Sequence, residues 1–369
     1  NIHNNNHCTE PAMNALHKSV HHSAVFDHPE MGDHEDIVFV QDKATGLKAI
    51  IAVHDTTLGP ALGGCRVWPY ENPADALTDA LRLSRGMTYK NSLAGLDLGG
   101  GKAVIIADPR KDKSEALMEA FGRHVERLSG TYITAEDVGV SPDDMEAVAR
   151  QTAHVRGTKA TGLGDPSPYT ALGVFEGIKA SAKFVYGSSD LSGKTVSVQG
   201  LGHVGHDVAR QLYEAGARLI VSDIHAPAVL RAIDAFGATA VDPAEAHMVE
   251  ADIFVPCALG AGLNARTVPQ IQAKIVAGAA NNQLQTPADG EALKKRGILY
   301  APDYAINAGG VISIALATAD SGDKLVREKT IAIGETLATI FERAARESST
   351  PERVADTMAE ERLAKAKSA

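Results

Sequence analysis

Lys102, in the first half of the chain, has surroundings that suit it to acid–base chemistry. It follows three glycines and precedes the apolar run 103–106, which is typical of a buried strand. Burial disfavours the charged form of an ammonium, and a neutral lysine amine can act as a general base near neutral pH. A phosphate-binding P-loop is the competing interpretation. It fails because Leu96 stands six positions before the lysine and Ala103 stands where Ser or Thr is required.

Two further residues, Lys90 and Asp137, are candidates for the same chemistry. Lys90 ends the predicted helix 73–90, and Asp137 follows the predicted strand 132–135. Taken singly, such a lysine is more often a solvated surface residue, and such an aspartate more often belongs to a loop or a helix cap. An aspartate beside two lysines can shuttle protons.

A glycine-rich turn in the second half of the chain has the spacing of a dinucleotide-binding site. The predicted strand 194–199 leads into Gly200, Gly202 and Gly205 and then into the predicted helix 203–215. The first glycine allows the tight turn, the second lets the backbone approach a pyrophosphate, and the third lets helix and strand pack closely. The helix N-terminus supplies free N–H groups to the phosphates. A glycine-rich turn without a dinucleotide is the alternative.

The acidic residue that ends the next strand indicates NAD rather than NADP. Asp223 closes the predicted strand 218–223, at the position where a carboxylate binds the ribose hydroxyls. The same carboxylate would repel a 2′-phosphate, and residues 224–227 contain no Arg or Lys.

The predicted elements that position these residues fall into two parts of an α/β fold, because 369 residues exceed one compact core. The first part has a hairpin over 36–54 and two helices, which Asn72 and Ser114 cap. Beyond the Gly- and Pro-rich stretch 157–168, strands alternate with helices, which predicts a doubly wound parallel sheet. One long amphipathic helix is predicted over 324–347.

Composition limits the partners. Acidic residues number 46 and basic residues 36, a net charge of −10, which argues against nucleic acid or an anionic membrane as the main partner. Three cysteines give no disulfide framework, and we expect a cytoplasmic protein. Half of the 14 histidines fall within residues 1–34, but their spacing fits no ligand set, so we predict a solvated tail and no metal site.

Seven stretches of the chain, taken in order, resemble the Glu/Leu/Phe/Val dehydrogenase family, and its branched-chain members most closely. They are residues 58–66, 85–90, 99–104, 134–139, 256–260, 277–282 and 307–310. The resemblance implies a homo-oligomer that uses NAD to deaminate an L-amino acid oxidatively, yielding a 2-oxo acid and ammonia. The implied layout is a disordered leader (1–12), an α/β substrate-binding and oligomerisation domain (13–157, joined by about 340–369) and a Rossmann NAD-binding domain (158–339).

The resemblance also implies a division of labour among the polar residues. Lys102 would be the catalytic base that activates the water attacking the imine. Lys90 would bind the substrate α-carboxylate, assisted by the backbone around Gly63 and Gly64. Asp137 would assist proton transfer to and from the α-amino group.

The cofactor contacts follow from the same resemblance. Asn281 would lie beside the substrate and the nicotinamide ribose, and Thr170 would lie at the nicotinamide end. The active site would occupy the cleft between the domains, whose closure excludes water. The remaining expected cofactor-binding residues are Gly200, Gly202, His203, Val204, Gly205, Asp223, Cys257 and Ala258.

Four apolar residues are expected to contact the substrate side chain: Leu62, Ala135, Val311 and Ile314. Glutamate-specific relatives usually place a lysine where Leu62 stands, and without it a glutamate carboxylate would be buried unpaired. The β-branched Ile314 should narrow the pocket against an aromatic ring. We therefore expect leucine, valine or isoleucine, with phenylalanine as the alternative. Cys65 departs from the more usual Thr after the glycine pair.

Three other classes of protein compete with this interpretation. A catalytically silent NAD- or amino-acid-binding regulator would tolerate loss of Lys102 or Asp137, and both are present. An engineered amine dehydrogenase would have replaced Lys90 and Asn281, and both are intact. A 2-hydroxy-acid dehydrogenase would use a His base paired with an Arg, and we find no such pair in a suitable context.

Overall fold

The computed structural model describes residues 25–159, 164–258, 260–317 and 322–368, so the expected leader over residues 1–12 lies outside the described residues. Within these ranges the strands form one sheet of five strands and a second sheet of six. The predicted α/β fold in two parts is confirmed. The exact domain limits given above stay predictions.

The first sheet has the strand order β1-β2-β4-β3-β5. Strands β1 and β2 form the predicted antiparallel hairpin, and β3 runs parallel to both of its neighbours, β4 and β5. The strands are Asp36–Asp42 (β1), Leu47–Asp55 (β2), Ala61–Trp68 (β3), Gly99–Ile106 (β4) and Tyr132–Glu136 (β5). Apolar side chains from helices cover both faces, which explains why β2 is a nearly continuous apolar run.

Three helices cover this sheet: Pro73–Leu93 (α1), Glu115–Glu126 (α2) and Pro142–Ala149 (α3). The side chain of Asn72 accepts a hydrogen bond from the Asp75 amide at 3.0 Å, and that of Ser114 accepts one from the Leu117 amide at 3.2 Å. Both are the predicted caps. Each satisfies an N–H group that the first helical turn leaves free, a contribution of about 1 kcal/mol.

The three glycines before Lys102 lie inside β4, so the prediction that the strand begins at residue 103 was wrong. The reason is a close approach between helix and sheet. A Cβ on Gly100 would lie 2.1 Å from the backbone nitrogen of Thr88 in α1. Helix α1 therefore packs directly on β4, which brings the end of α1, with Lys90, close to Lys102.

The second sheet has the order β11-β10-β9-β6-β7-β8, and its strand pairs are parallel, as the alternating pattern predicted. Its strands are Thr195–Gln199 (β6), Arg218–Ser222 (β7), Thr239–Ala240 (β8), Ile253–Pro256 (β9), Ile275–Val276 (β10) and Leu299–Tyr300 (β11). The helices are Ser167–Tyr186 (α4), His203–Glu214 (α5), Ala226–Phe236 (α6), Pro287–Lys295 (α7), Asp303–Ile306 (α8) and Gly309–Leu316 (α9), with a 3₁₀ turn at Val268–Gln270.

The C-terminal region forms three helices: Gly322–Ile331 (α10), Ile333–Glu347 (α11) and Pro351–Lys367 (α12). The single helix predicted over 324–347 was wrong, because the helix is interrupted at Ala332, two residues before Gly334. Helix α12 returns to the first sheet and packs against α1. There Arg362 donates to the carbonyls of Ser92 and Leu96, each at 2.8 Å.

Candidate active site

A cavity of about 460 Å³ lies between the two sheets and collects most of the candidate residues. Its walls come from β3, the end of α1 and the end of β5 on one side, and from the loop after β10 and helix α9 on the other. The predicted residues that line it are Leu62, Gly63, Gly64, Lys90, Lys102, Ala135, Asp137, Thr170, Val204, Asn281, Val311 and Ile314. All the expected substrate-binding and catalytic residues therefore meet in one place.

Lys102 and Asp137 form an ion pair across a strand that separates them. Strand β3 lies between β4, which carries Lys102, and β5, which Asp137 follows. The contact is possible because β3 presents glycine there: a Cβ on Gly64 would lie 2.8 Å from the Cβ of Asp137. The Lys102 Nζ donates to Asp137 Oδ2, and Lys102 is only 6% exposed. A base and a carboxylate thus lie side by side at the cavity wall.

The electrostatics of this pair favour an ionised Asp137. Burial raises the pKa of Asp137, but the charges of Lys102 and Arg66 outweigh it and lower the pKa to about 2. The Arg66 Nε donates to Asp137 Oδ2 at 3.2 Å. Arg66 was not predicted to be a site residue, although it ends one of the stretches that carry the family resemblance.

Lys90 is placed to receive an anion. Burial lowers its pKa to about 8, with Lys102 acting in the same direction and Asp303 opposing. Its Nζ donates to Asn281 Oδ1 at 3.3 Å, and Asn307 Nδ2 donates to the same oxygen at 2.8 Å. Asp303 and Asn307 were not predicted to be site residues. Of the two, only Asn307 could have been found from the sequence, because it opens the stretch 307–310 that carries part of the family resemblance. The cavity therefore holds a partly buried cation whose hydrogen-bond partner is a neutral amide.

Part of the cavity wall is apolar. Leu62 and Ala135 come from the first sheet, and Val311 and Ile314 from α9. Two more apolar residues of α1 line the cavity and were not predicted, Leu83 and Met87. Their spacing on α1 matched the general helical pattern, which does not distinguish a core position from a pocket position.

The glycine-rich turn lies beside this cavity, at the carboxyl ends of β6 and β9. These two strands are neighbours in the sheet although they are distant in sequence, and ligands of doubly wound sheets bind at such switch points. The turn and the segment after β9 are in contact, because the backbone N–H of Cys257 donates to the carbonyl oxygen of Gln199 at 2.7 Å. Ala258 follows Cys257 on this edge.

The turn is suited to a dinucleotide. A Cβ on Gly202 would meet nothing within 4 Å, so this glycine borders open space in front of α5. No side chain caps the N-terminus of α5, which leaves its N–H groups free for phosphate. His203 begins α5, and Val204 reaches the substrate cavity. The side chain of Asp223 accepts a hydrogen bond from the Leu201 amide at 2.6 Å, so this carboxylate borders the same turn.

Metal-binding clusters and membrane-spanning helices are both absent from the described residues. In the ranges that the structure describes, no group of three His, Cys, Asp or Glu side chains is placed to hold a metal ion. No helix within those same ranges is both long and apolar enough to cross a bilayer.

Comparisons with known proteins identify the same family that the residues of the site indicate. The family model for the Glu/Leu/Phe/Val dehydrogenase dimerisation domain matches residues 34–154, and that for Glutamate/Leucine/Phenylalanine/Valine dehydrogenase matches residues 227–369. The chain is 52% identical over 341 residues to a leucine dehydrogenase of Geobacillus stearothermophilus, which covers 92% of this chain and 93% of that one. It is 46% identical over 345 residues to a valine dehydrogenase of Streptomyces albus, with coverage of 92% and 95%.

A solved structure gives the same result. The crystal structure of L-tryptophan dehydrogenase from Nostoc punctiforme matches with a TM-score of 0.80 and 45% identity, over 91% of this chain and 97% of that one. The chain therefore belongs to the Glu/Leu/Phe/Val dehydrogenase family and is an NAD(P)-dependent amino-acid dehydrogenase.

Proposed function

We propose that this enzyme catalyses the reversible, NAD-dependent oxidative deamination of L-leucine, L-valine and L-isoleucine to their 2-oxo acids, with release of ammonia. The observation that carries the proposal is the composition of the cavity. Its lining combines the charged residues Lys90, Lys102 and Asp137 with the apolar residues Leu62, Ala135, Val311 and Ile314.

Each polar residue has a role that its surroundings support. Lys90 donates a charge-assisted hydrogen bond to the α-carboxylate. This bond replaces the one that Lys90 makes to Asn281 Oδ1 in the structure. Asp137 is ionised and accepts a proton from the α-amino group. Lys102, in its neutral form, takes a proton from the water that attacks the imine carbon and returns it as ammonia leaves. A nicotinamide cofactor bound at the glycine-rich turn of Gly200, Gly202 and Gly205 would supply the redox chemistry, as the acceptor of a hydride from the α-carbon.

The apolar wall favours an aliphatic side chain over a charged one. A glutamate carboxylate against Leu62 would be buried without a partner, at a cost of several kcal/mol. Differences of one methylene between leucine and valine are worth only about 1–3 kcal/mol in such a pocket, so the enzyme should accept both.

An aromatic amino acid is the second candidate, and one specific observation favours it. The Nostoc relative, at 45% identity, is an L-tryptophan dehydrogenase, so a chain this similar accommodates a ring. In this chain the β-branched Ile314 and the unbranched, adaptable Met87 share the cavity wall. We rank phenylalanine below the aliphatic substrates because the branched side chain of Ile314 narrows the cavity where a flat ring would have to fit.

NAD is the proposed cofactor because of Asp223. Its carboxylate borders the glycine-rich turn, where it can bind ribose hydroxyls and repel a 2′-phosphate. Replacing Asp223 with Asn keeps an acceptor for the Leu201 amide and removes the charge. We expect D223N to raise the KM for NAD and to lower the KM for NADP. Unchanged constants for both cofactors would argue against this role.

A homo-oligomer and a cytoplasmic location complete the proposal. The match of residues 34–154 to a dimerisation domain supports assembly through the first sheet. The described cysteines, Cys65 and Cys257, are free thiols, which fits a reducing compartment. Sedimentation of the purified chain, with and without reductant, tests the assembly.

The substrate assignment is tested by comparing kcat/KM for L-leucine, L-valine, L-phenylalanine, L-tryptophan and L-glutamate with NAD. We expect the two aliphatic amino acids to lead and glutamate to be turned over poorly. The variant Leu62→Lys should lose leucine activity and gain glutamate activity, since it supplies a cation for the distal carboxylate. A wild type that prefers an aromatic substrate would overturn the aliphatic assignment and keep the reaction. No turnover of any amino acid would favour a regulatory protein.

A further inference from the structure

Arg66 is the second cation on Asp137, and the roles proposed above leave it unused. It lies on β3, lines the cavity, and its side chain is 24% exposed. Its Nε donates to Asp137 Oδ2 at 3.2 Å, and Lys102 donates to the same oxygen. The backbone N–H of Val138 also donates to this carboxylate.

The two cations differ in one respect that matters for acid–base chemistry. A lysine that acts as a base must lose and regain its proton, and when it is neutral it no longer balances a neighbouring carboxylate. A guanidinium does not lose its proton in a protein. Arg66 therefore supplies a constant positive charge beside Asp137 while the charge of Lys102 changes.

A second carboxylate, that of Asp79, fixes the position of the Arg66 guanidinium. Its Nη1 donates to Asp79 Oδ2 at 2.8 Å, and the Tyr70 hydroxyl donates to the same oxygen at 2.6 Å. Asp79 is in α1, Arg66 is on β3, and Asp137 follows β5, so the guanidinium ties three elements of the first part together. An arginine fixed by two carboxylates in this way has little freedom to turn towards solvent.

We propose that Arg66 is a positioning residue for the reaction: it holds the Asp137 carboxylate at the cavity wall and keeps it ionised while Lys102 exchanges its proton. This inference rests on the proposed function. It predicts that Arg66 acts on turnover through Asp137, and that it acts on kcat more than on the KM for the amino acid.

The test compares Arg66→Gln and Arg66→Lys with the matched control Arg123→Gln. Arg123 faces Asp42 at 3.7 Å, away from the cavity. We expect R66Q to lower kcat for L-leucine about 10- to 100-fold, as loss of a hydrogen bond to a charged group does. Its KM should change far less, R66K should fall between R66Q and wild type, and R123Q should be unchanged. Melting temperatures of all variants show which remain folded.

A double-mutant comparison separates an action through Asp137 from other actions. In an Asp137→Asn background R66Q should cause almost no further loss, because the carboxylate that Arg66 holds is gone. An equal loss of kcat in both backgrounds would overturn the inference. So would a rise in KM that R66Q causes equally in both, since Arg66 would then bind the substrate directly.

A second readout does not need turnover. Urea unfolding as a function of pH reports how strongly the folded protein keeps Asp137 ionised. The charge of Arg66 lowers the pKa of Asp137, so the acid-dependent loss of stability should be smaller and end at a higher pH in R66Q than in wild type, and R66K should resemble wild type. An unchanged pH dependence of stability in R66Q would contradict the inference even if leucine is oxidised. A wild type inactive on every amino acid would instead remove the proposed function.

Discussion

Lys90 Nζ donates a hydrogen bond to Asn281 Oδ1 at 3.3 Å, which joins helix α1 to the loop that follows β10. Asn307 also donates to this oxygen, at 2.8 Å, and donates to the Ala279 carbonyl at 3.1 Å. One amide oxygen therefore serves two donors from the two sides of the cleft. When Lys90 donates to a substrate carboxylate instead, Asn307 still donates to Asn281 Oδ1. The side-chain amide of Asn281 therefore keeps its position beside the substrate.

The first prediction concerns Lys90. In Lys90→Met the carboxylate loses its cation, and a hydrogen bond between charged groups is worth about 1.5–3 kcal/mol. We expect the KM for L-leucine to rise about 10- to 100-fold by steady-state kinetics. Lys179→Met serves as the control, because Lys179 pairs with Glu176 on α4 outside the cavity. A KM that K90M leaves at the wild-type value would remove Lys90 from carboxylate binding.

The second prediction is a pH dependence of carboxylate binding. The pKa of Lys90 is lowered to about 8, chiefly by burial, so its ammonium loses its proton above that pH. The affinity for 4-methylpentanoate, which has the leucine skeleton without the amino group, should fall as pH rises through this value. Titration calorimetry from neutral pH to about pH 10 measures it, below the ordinary lysine pKa. In K90M the fall should vanish, and a fall that persists there would assign it to another group.

Sequence patterns predicted those parts of the fold that depend on interactions between residues close together in the chain. The hairpin over 36–54 and the caps Asn72 and Ser114 depend on neighbours within a few residues, and all were found. The start of β4 was missed because Gly100 is required by its contact with Thr88, which comes from a separate helix. The interruption at Ala332 was missed although Gly334, a weak helix former, lies two residues beyond it.

The site divides in the same way. Lys102 and Asp137 stood out because each follows or begins a recognisable local pattern. Asp303 has no such pattern, and Arg66 lies in one of the stretches that carry the family resemblance, with nothing there that indicates its function. The strand order and the return of the chain bring both residues to the cavity. Lys90 was not expected to have a lowered pKa, and burial lowers it to about 8 because the fold brings the end of α1 into the cleft.

The third prediction uses two glycines of the same turn. A Cβ on Gly205 would lie 2.0 Å from the Gly200 carbonyl oxygen, whereas one on Gly202 would meet nothing within 4 Å. Gly205→Ala should therefore lower the melting temperature. Gly202→Ala should fold normally but raise the Kd for NAD at least tenfold, because its methyl group occupies the space for the pyrophosphate. Normal NAD binding by G202A would place the cofactor elsewhere.

The fourth prediction is an acid-dependent loss of stability through Asp137. Its folded pKa is about 2 against an ordinary 3.8. Between these values the unfolded chain binds the proton more readily than the folded chain does, so the free energy of unfolding decreases as pH falls. The contribution is complete above about pH 4 and lost towards about pH 2. Urea unfolding of wild type and Asp137→Asn tests this. The difference in stability between the two proteins should shrink over that range, and a constant difference would contradict it.

The most direct test of the central claim is the initial rate of NADH formation from L-leucine and NAD, measured for wild type and for Lys102→Ala at equal concentrations of folded protein. The account predicts ready turnover by the wild type and a loss of about a thousandfold or more in K102A, within the range expected for a general base. An active K102A would contradict the assignment of Lys102 as the base. A wild type that binds NAD but oxidises no amino acid would contradict the proposed reaction itself.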